Sequence, residues 1–257
     1  KAVRGLFHAG QINGTSGYEE AAAQGIYAAF NAMRYLRQEP PLVISRSEAY
    51  LGVMVDDIVT RGVLEPYRLF TSRAEYRLHL RHDNADQRLA AYGLERNCSA
   101  ASVEAREQRI KAEIKRLRTT IATPSPALNS LLQECGEAAA VQAAPLEQIL
   151  RRPGMSLEKL HRFSPPPETL DFQSREQVEI RVKYSGYLER EARMIGHFTK
   201  TEKLAIPDDL DYDAISGLPR ESRQRLKEVR PANFGQASRI PGVRASDVAV
   251  LHIYLVK

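Results

Sequence analysis

The residues best suited to hold a ligand lie near the start, in Gly10-Gln11-Ile12-Asn13-Gly14-Thr15-Ser16-Gly17-Tyr18-Glu19-Glu20. Gly10, Gly14 and Gly17 let the backbone approach a bound group with no Cβ in the way. Gln11, Asn13 and Thr15 put polar side chains beside it. A helix beginning near Gly17 or Tyr18 would present free N–H groups and a positive dipole end over the loop. That suits a phosphate or an electron-rich ring edge. The string is neither a Walker loop, since no Gly-Lys-Ser/Thr follows, nor GxGxxG. Spacing alone leaves two readings open, a ligand-binding turn or an ordinary tight connection between a strand and a helix.

A second cluster combines charge with rings. Arg61, Arg68, Arg73, Arg77, Arg81 and Arg88 stand against Glu65, Glu75, Asp83 and Asp86, with Tyr67, Phe70 and Tyr76 interleaved. Arginine forks grip phosphate, and aromatic rings stack on unpaired bases. A salt-bridged surface anchored by aromatic core residues is the alternative. Asp56-Asp57 is a tempting carboxylate pair, but neighbours on a helix point roughly 100° apart, so a solvated face or a cap is expected. Cys98 and Cys135 form no CxxC pair, and the histidines no HxxxH cluster, so no metal site is assigned. Two buried thiols in a reducing compartment are expected.

These residues need elements to hold them. Val3–Ala9 reads as a strand running into the glycine turn. A helix follows, with Ala22, Ile26, Ala29, Met33 and Leu36 as its inner face and Pro40-Pro41 as its stop. Ser47–Thr60 reads as helix with Ser47 as a possible cap. Tyr76–Leu80 alternates like a strand, and Asp83–Tyr92 looks helical. Ser102–Ile121 is the clearest helix, with a stripe of Val103, Ile110, Ile114, Leu117 and Ile121 and a Glu107–Lys111 pair. Short helices are expected at Ala127–Cys135, Pro145–Arg151 and Ser156–Phe163. Pro165-Pro166-Pro167 reads as a hinge or linker. A long helix is expected over Arg175–Phe198, with Val178, Val182, Tyr184, Leu188 and Ile195 inward. Three more are expected at Pro219–Val229, Asn233–Arg239 and Ala245–Leu255. The fold class is therefore mainly α, a helical bundle-type domain preceded by the last strand–loop–helix unit of an α/β domain. The expected divisions are 1–60, 61–203 and 204–257.

With 257 residues and 43% hydrophobic content the chain can bury a substantial core. It has no apolar run long enough to span a membrane as a helix, and its start lacks the core of a signal peptide. The first residue is Lys rather than Met, which reads as a piece of a longer chain. A net charge of +5 fits an anionic partner without demonstrating one. Ser238-Arg239-Ile240-Pro241-Gly242-Val243 mimics a helix–turn–helix corner. The segment after it, Asp247–Leu255, is apolar almost all round, which favours burial or protein contact over groove reading.

The literal strings go further. Gly10–Gly25, Glu65–Leu78, Asp83–Asp86, Val182–Tyr187 and Arg230–Ile240 resemble the MnmG family, also called GidA, and the likeness runs over nearly the whole chain, least distinctly at Ala122–Ala144. The folate- and flavin-dependent tRNA uridine methyltransferases have a similar loop but lack the long helical tail. Resemblance to MnmG implies FAD as cofactor and NADH as reductant. It implies a GTPase partner, MnmE, and installation of an aminomethyl-type group on carbon 5 of a tRNA wobble uridine. It further implies a homodimer of the full-length protein, in the cytoplasm and not in a membrane.

On that resemblance Gln11 is the first candidate for flavin contact, beside Gly10, Asn13, Gly14 and Thr15. Arg68, Arg73, Arg77 and Arg81 are candidates for tRNA contact, although some of them would equally suit flavin phosphate. The family's GxGxxG, nicotinamide-binding insertion and catalytic-cysteine region have no counterpart here, so no catalytic residue is assigned and the piece alone is expected to be inactive. A non-enzymatic helical module that binds RNA or protein is the competing expectation.

Overall fold

The computed structural model describes residues 3–63, 65–92, 100–202 and 204–256. Cys98, one of the two expected buried thiols, lies outside them. The described chain is mainly α-helical and divides into two compact units, residues 1–80 with 191–257, and 81–190.

In the first unit, residues 10–13 form a single 3-10 turn, followed by helices α1 (Tyr18–Leu36) and α2 (Tyr50–Arg61). The strand expected over Val3–Ala9 is not formed. A strand persists only through ladder partners, and among the described residues the nearest β contact is an isolated parallel bridge, Thr15 to Tyr67. Tyr76–Leu80 is likewise a turn rather than a strand, with the Leu80 and His79 amides both donating to the Tyr76 carbonyl. Ser47 does not cap α2. It lies in the preceding turn, its hydroxyl 3.1 Å from that of Ser45, and the N-cap is Ala49.

Helix α1 turns a different face inward from the one its apolar spacing predicts. Ile26 is 57% exposed and Leu36 81%, whereas Glu20, Gln24 and Asn31 are buried. The polar face goes in because it has backbone to satisfy. Asn31 accepts from the Leu42 amide at 2.8 Å and donates back to the Leu42 carbonyl at 3.3 Å. The C-terminal part of this unit contains α10 (Arg220–Val229), α11 (Phe234–Arg239) and α12 (Ala245–Val256). They close over Ile215, Leu226, Phe234, Ile240 and Leu251. Asn233 caps α11 by accepting from Gln236 N at 2.8 Å. Leu251 of α12 is buried, while Ile253 and Tyr254 stay exposed.

The second unit is built on α4 (Ala100–Thr119), which follows a short helix, α3 (Ala85–Leu89). Val103, Ile110 and Leu117 are buried along the stripe the sequence marks, and Lys111 pairs with Glu107 at 3.5 Å. Ile121 leaves the stripe. It lies in a two-residue strand, β1 (Ile121–Ala122), antiparallel to β2 (Ala144–Pro145), and is exposed. Helices α5 (Pro126–Glu134), α6 (Leu146–Leu150), α7 (Leu157–Phe163) and α8 (Phe172–Lys183) pack around the core. Ser125, Ser156 and Asp171 cap α5, α7 and α8 through their side chains. Pro165–Pro167 lies in the α7–α8 loop, inside this unit rather than between units.

The single helix expected from Arg175 to Phe198 is two. The chain breaks at Tyr184 before α9 (Ser185–Glu202), next to Gly186, a poor helix former. Tyr184, expected inward, is exposed, while Val178 and Val182 are buried as expected.

Glu113 on α4 is buried, yet its carboxylate takes two bonds of 2.8 Å from Arg116 and faces His161 Nε2 at 2.9 Å. Burial pushes its pKa up, but Arg116 and His161 more than offset this and bring it from 4.5 down to about 2. A depressed folded-state pKa gives stability that is complete above pH 4.5 and lost as pH falls toward 2. Glu113→Gln is therefore expected to cost about 3 kcal/mol at neutral pH. In urea titrations its difference from the wild type should shrink as the pH falls through that window. A difference independent of pH would refute the assignment.

Candidate functional site

The glycine loop is fixed from two sides. Gly10 and Gly14 have φ of 79° and 75°, the left-handed region that favours glycine. At Gly14 a Cβ would also lie 2.6 Å from Val63 Cγ1. From α1, Gln24 acts as a clamp. Its Oε1 accepts from Gly10 N and from Asn13 Nδ2, both at 2.9 Å, and its Nε2 donates to Thr15 Oγ1 at 2.5 Å. From the other side Tyr67 straps the loop through its backbone. Tyr67 N donates to the Gly14 carbonyl at 2.7 Å, and Ser16 N donates to the Tyr67 carbonyl at 3.3 Å.

The five loop residues singled out in the sequence therefore divide. Gln11 is exposed on the outer rim, next to exposed Ile12. Gly10 and Thr15 are buried, and the Asn13 amide is committed to Gln24 and to the His8 carbonyl at 3.1 Å. Beside the rim, α1 starts at Gly17, a residue with no side chain of its own to cap the helix. Glu20, in its first turn, folds back over Gly17, and its carboxylate accepts from its own backbone amide. The Leu69 amide donates to it at 3.1 Å, and Arg68 lies 3.3 Å off. That amide bond, with the Arg68 charge, holds the Glu20 carboxyl below its ordinary pKa despite burial.

Beneath the strap lies a buried ionic cluster that sequence reasoning missed. Arg46 is 2% exposed, and its guanidinium is shared among three carboxylates. It reaches Asp57 at 2.7 Å, Asp56 at 3.2 Å and Glu75 at 2.8 Å. Its remaining donor capacity goes to the carbonyls of Val53 (3.2 Å) and Arg73 (3.1 Å). Arg239 on α11 grips Asp56 with two bonds of 2.7 and 2.8 Å. Asp56 and Asp57 are thus neither solvated nor capping. Both are buried, and one arginine spans the angle between them. The Tyr67 hydroxyl donates to Asp57 at 3.0 Å. Burial beside that carboxylate pushes the phenol well above its ordinary pKa, so it keeps its proton.

The arginine segment is mixed. Arg73 lies over the Tyr67 ring at 4.6 Å, donates to the Arg68 carbonyl at 2.9 Å and stands 3.5 Å from Asp57. Arg68 is more than half exposed and is paired with Glu20. Arg77 is exposed, and no side-chain bond of its own occurs among the described residues. Arg81, in the second unit, is held by Asp83 through bonds of 2.9 to 3.1 Å and by Gln177 at 3.3 Å. Cys135 is a free, half-buried thiol. Among the described residues no cluster of three metal-ligating side chains occurs, and no helix is long and apolar enough to cross a membrane.

Removing one partner from a buried ion cluster leaves the others uncompensated. Arg46→Met is expected to cost about 3–5 kcal/mol in urea unfolding. Arg46→Lys should recover less than half of that, because one ammonium cannot reach carboxylates on several sides. Wild-type stability in Arg46→Met would contradict this account.

Comparison with known proteins bears on the same regions. Three family descriptions match, "Glucose inhibited division protein A" at residues 1–40, the MnmG/GidA "C-terminal helical domain" at 99–192 and the MnmG/GidA "C-terminal helical bundle" at 194–257. A curated relative from Syntrophobacter fumaroxidans, a tRNA uridine 5-carboxymethylaminomethyl modification enzyme MnmG, is 51% identical over 99% of this chain and 40% of its own length. The Bacillus subtilis protein of the same name is 46% identical over 99% of this chain and 41% of its own. A crystal structure of Aquifex aeolicus GidA superposes with a TM-score of 0.86 at 38% identity, over 100% of this chain and 41% of that one. The chain thus spans about two-fifths of the length of the relatives it matches. Identity at this level over the whole chain, together with the three matching descriptions, shows that it belongs to the MnmG/GidA family and corresponds to the C-terminal portion of its members.

Proposed function

We propose that the protein to which this chain belongs is a flavin-dependent enzyme that modifies carbon 5 of the tRNA wobble uridine, and that this chain supplies one wall of its flavin site and part of its RNA contact. The observation that carries the reading is the glycine loop. It is locked by Gln24 and Tyr67 with Gln11 turned outward, in a chain 51% identical to a curated tRNA uridine modification enzyme.

The residues present fit one side of an FAD site. Gly10 and Gly14 keep side chains off the loop, and Gln11 is exposed at its rim, an arrangement that lets a flavin ring approach the backbone. FAD would supply the electron transfer, with NADH as reductant. Gln11 would contact and orient the ring. Gly10, Asn13, Gly14 and Thr15 would shape the loop, since the side chains of Asn13 and Thr15 are committed to Gln24. The exposed apolar side chains of α1, Ile26, Met33 and Leu36, support a further part of the longer protein lying against them.

On the RNA side, of the four candidate arginines Arg77 is exposed, whereas Arg68, Arg73 and Arg81 each approach a carboxylate, so Arg77 is the first candidate for phosphate contact. A GTPase partner, MnmE, a homodimer of the full-length protein and cytoplasmic action complete the reading.

The direct test is nucleoside analysis of tRNA from a strain lacking the parent gene. The 5-aminomethyl-type wobble uridines should vanish and return on complementation. The complementing protein carrying Arg77→Ala should bind tRNA more weakly, with a salt dependence flatter by about one phosphate contact. Unchanged wobble nucleosides in the deletion strain would reject the function, and an unchanged salt slope would reject the role of Arg77.

A further inference from the structure

We infer that Asp57 and Tyr67 form a positioning relay, through which an RNA phosphate taken up by Arg73 tightens the glycine loop. The inference rests on the flavin and tRNA roles proposed above.

The relay is a chain of contacts within one unit. At its outer end Arg73 is one-third exposed, and its 3.5 Å approach to Asp57 is long for a charge-assisted bond. Arg73 is the partly exposed member of the pair, and so long a contact leaves its guanidinium available to a phosphate. The Tyr67 ring lies beneath Arg73, and its hydroxyl bonds the same carboxylate, Asp57 Oδ2, that Arg73 approaches. At the inner end the Tyr67 backbone holds Gly14 and Ser16.

Asp57 keeps Arg46 at 2.7 Å on its other oxygen, so losing Arg73 does not strand its charge. Arg61 also stands 3.7 Å from that oxygen, from a partly exposed position on α2. A carboxylate oxygen that no longer shares its charge with Arg73 is a stronger acceptor for the Tyr67 hydroxyl. The phenol bond then shortens, and the strap on Gly14 and Ser16 becomes harder to open. Glu75 takes no part in this step, because its contacts run to Arg46 rather than to Tyr67 or Arg73. The loop needs no new contact of its own. It is stiffened by a change of partners about one side chain away, which is a coupling between two sites in the thermodynamic sense.

Amide hydrogen exchange in the full-length flavoprotein tests this, because the Tyr67 and Ser16 amides are the strap itself. The probe is an in vitro transcript of a tRNA with an unmodified wobble uridine. In the wild type, saturating transcript should slow exchange in the peptides carrying Ser16 and Tyr67 by about fivefold or more. Tyr67→Phe keeps the ring under Arg73 and the backbone strap, and removes only the hydroxyl. It should bind the transcript as the wild type does and show no slowing. Arg73→Gln should show slowed exchange before any RNA is added.

Wild-type slowing retained in Tyr67→Phe would overturn the relay. So would bound transcript with no change at the strap of the wild type. Failure of the wild type to bind the transcript at all would overturn the RNA role and the relay together, and is distinguished by the binding measurement itself.

Discussion

The first unit is organised by a constraint on one side chain. Arg46 carries a positive charge where water does not reach, and such a charge persists only if its donors are met. Meeting them takes acceptors from the first turns of α2, from its middle, and from the segment around Arg73 and Glu75. Asp56, drawn in by Arg46, is then also available to Arg239, which brings α11 to the same cluster. Segments nearly two hundred residues apart in sequence are thereby fixed together by ionic geometry rather than by apolar area. A cluster of this kind is a modest source of net stability, but it is costly to leave half made. It therefore specifies one arrangement of these segments over near alternatives.

The glycine loop inherits its position from that arrangement. Tyr67 follows the end of α2, its hydroxyl rests on Asp57, and its backbone pairs with the loop. Gln24 supplies the opposing hold from α1, and its amide serves the backbone of the loop and two of its side chains. What remains free to meet a ligand is the outer rim with Gln11. Orientation of a cofactor needs a rigid support of this kind, since the cofactor brings the chemistry and the protein the geometry. The second unit has a different basis, an apolar core of leucines and valines around α4 with capped helix starts.

Much of this was legible in the sequence where local rules decide. Helix α4, the short helices after it and the three terminal helices lie within a residue or two of where the sequence places them. Ser125, Ser156 and Asn233 serve as caps, as their types and positions allow. The reading failed where a long-range partner overrides the local signal. Spacing put Ile26, Met33 and Leu36 of α1 inside, but the buried face is polar, because Gln24 and Asn31 satisfy backbone that lies elsewhere in the chain. Val3–Ala9 has the composition of a strand and no described ladder to join. Asp56 and Asp57 looked divergent because a helix does separate neighbours, and nothing local revealed the arginine placed between them. Gln24 had a faint signal, a lone amide in an alanine-rich stretch two turns from the glycines. Family resemblance, carried by literal strings, supplied the functional meaning that spacing alone left open.

The central claim is that Arg46 is tolerated in the interior because buried carboxylates neutralise it, Asp57 at 2.7 Å foremost. A double-mutant cycle between Arg46→Met and Asp57→Leu, read by urea unfolding, tests it most directly. The account predicts that the double variant is far less destabilised than the sum of the two single changes, with a coupling of about 2 kcal/mol or more, because each single change strands the charge its partner was neutralising. Additive effects, within about 0.5 kcal/mol, would contradict it.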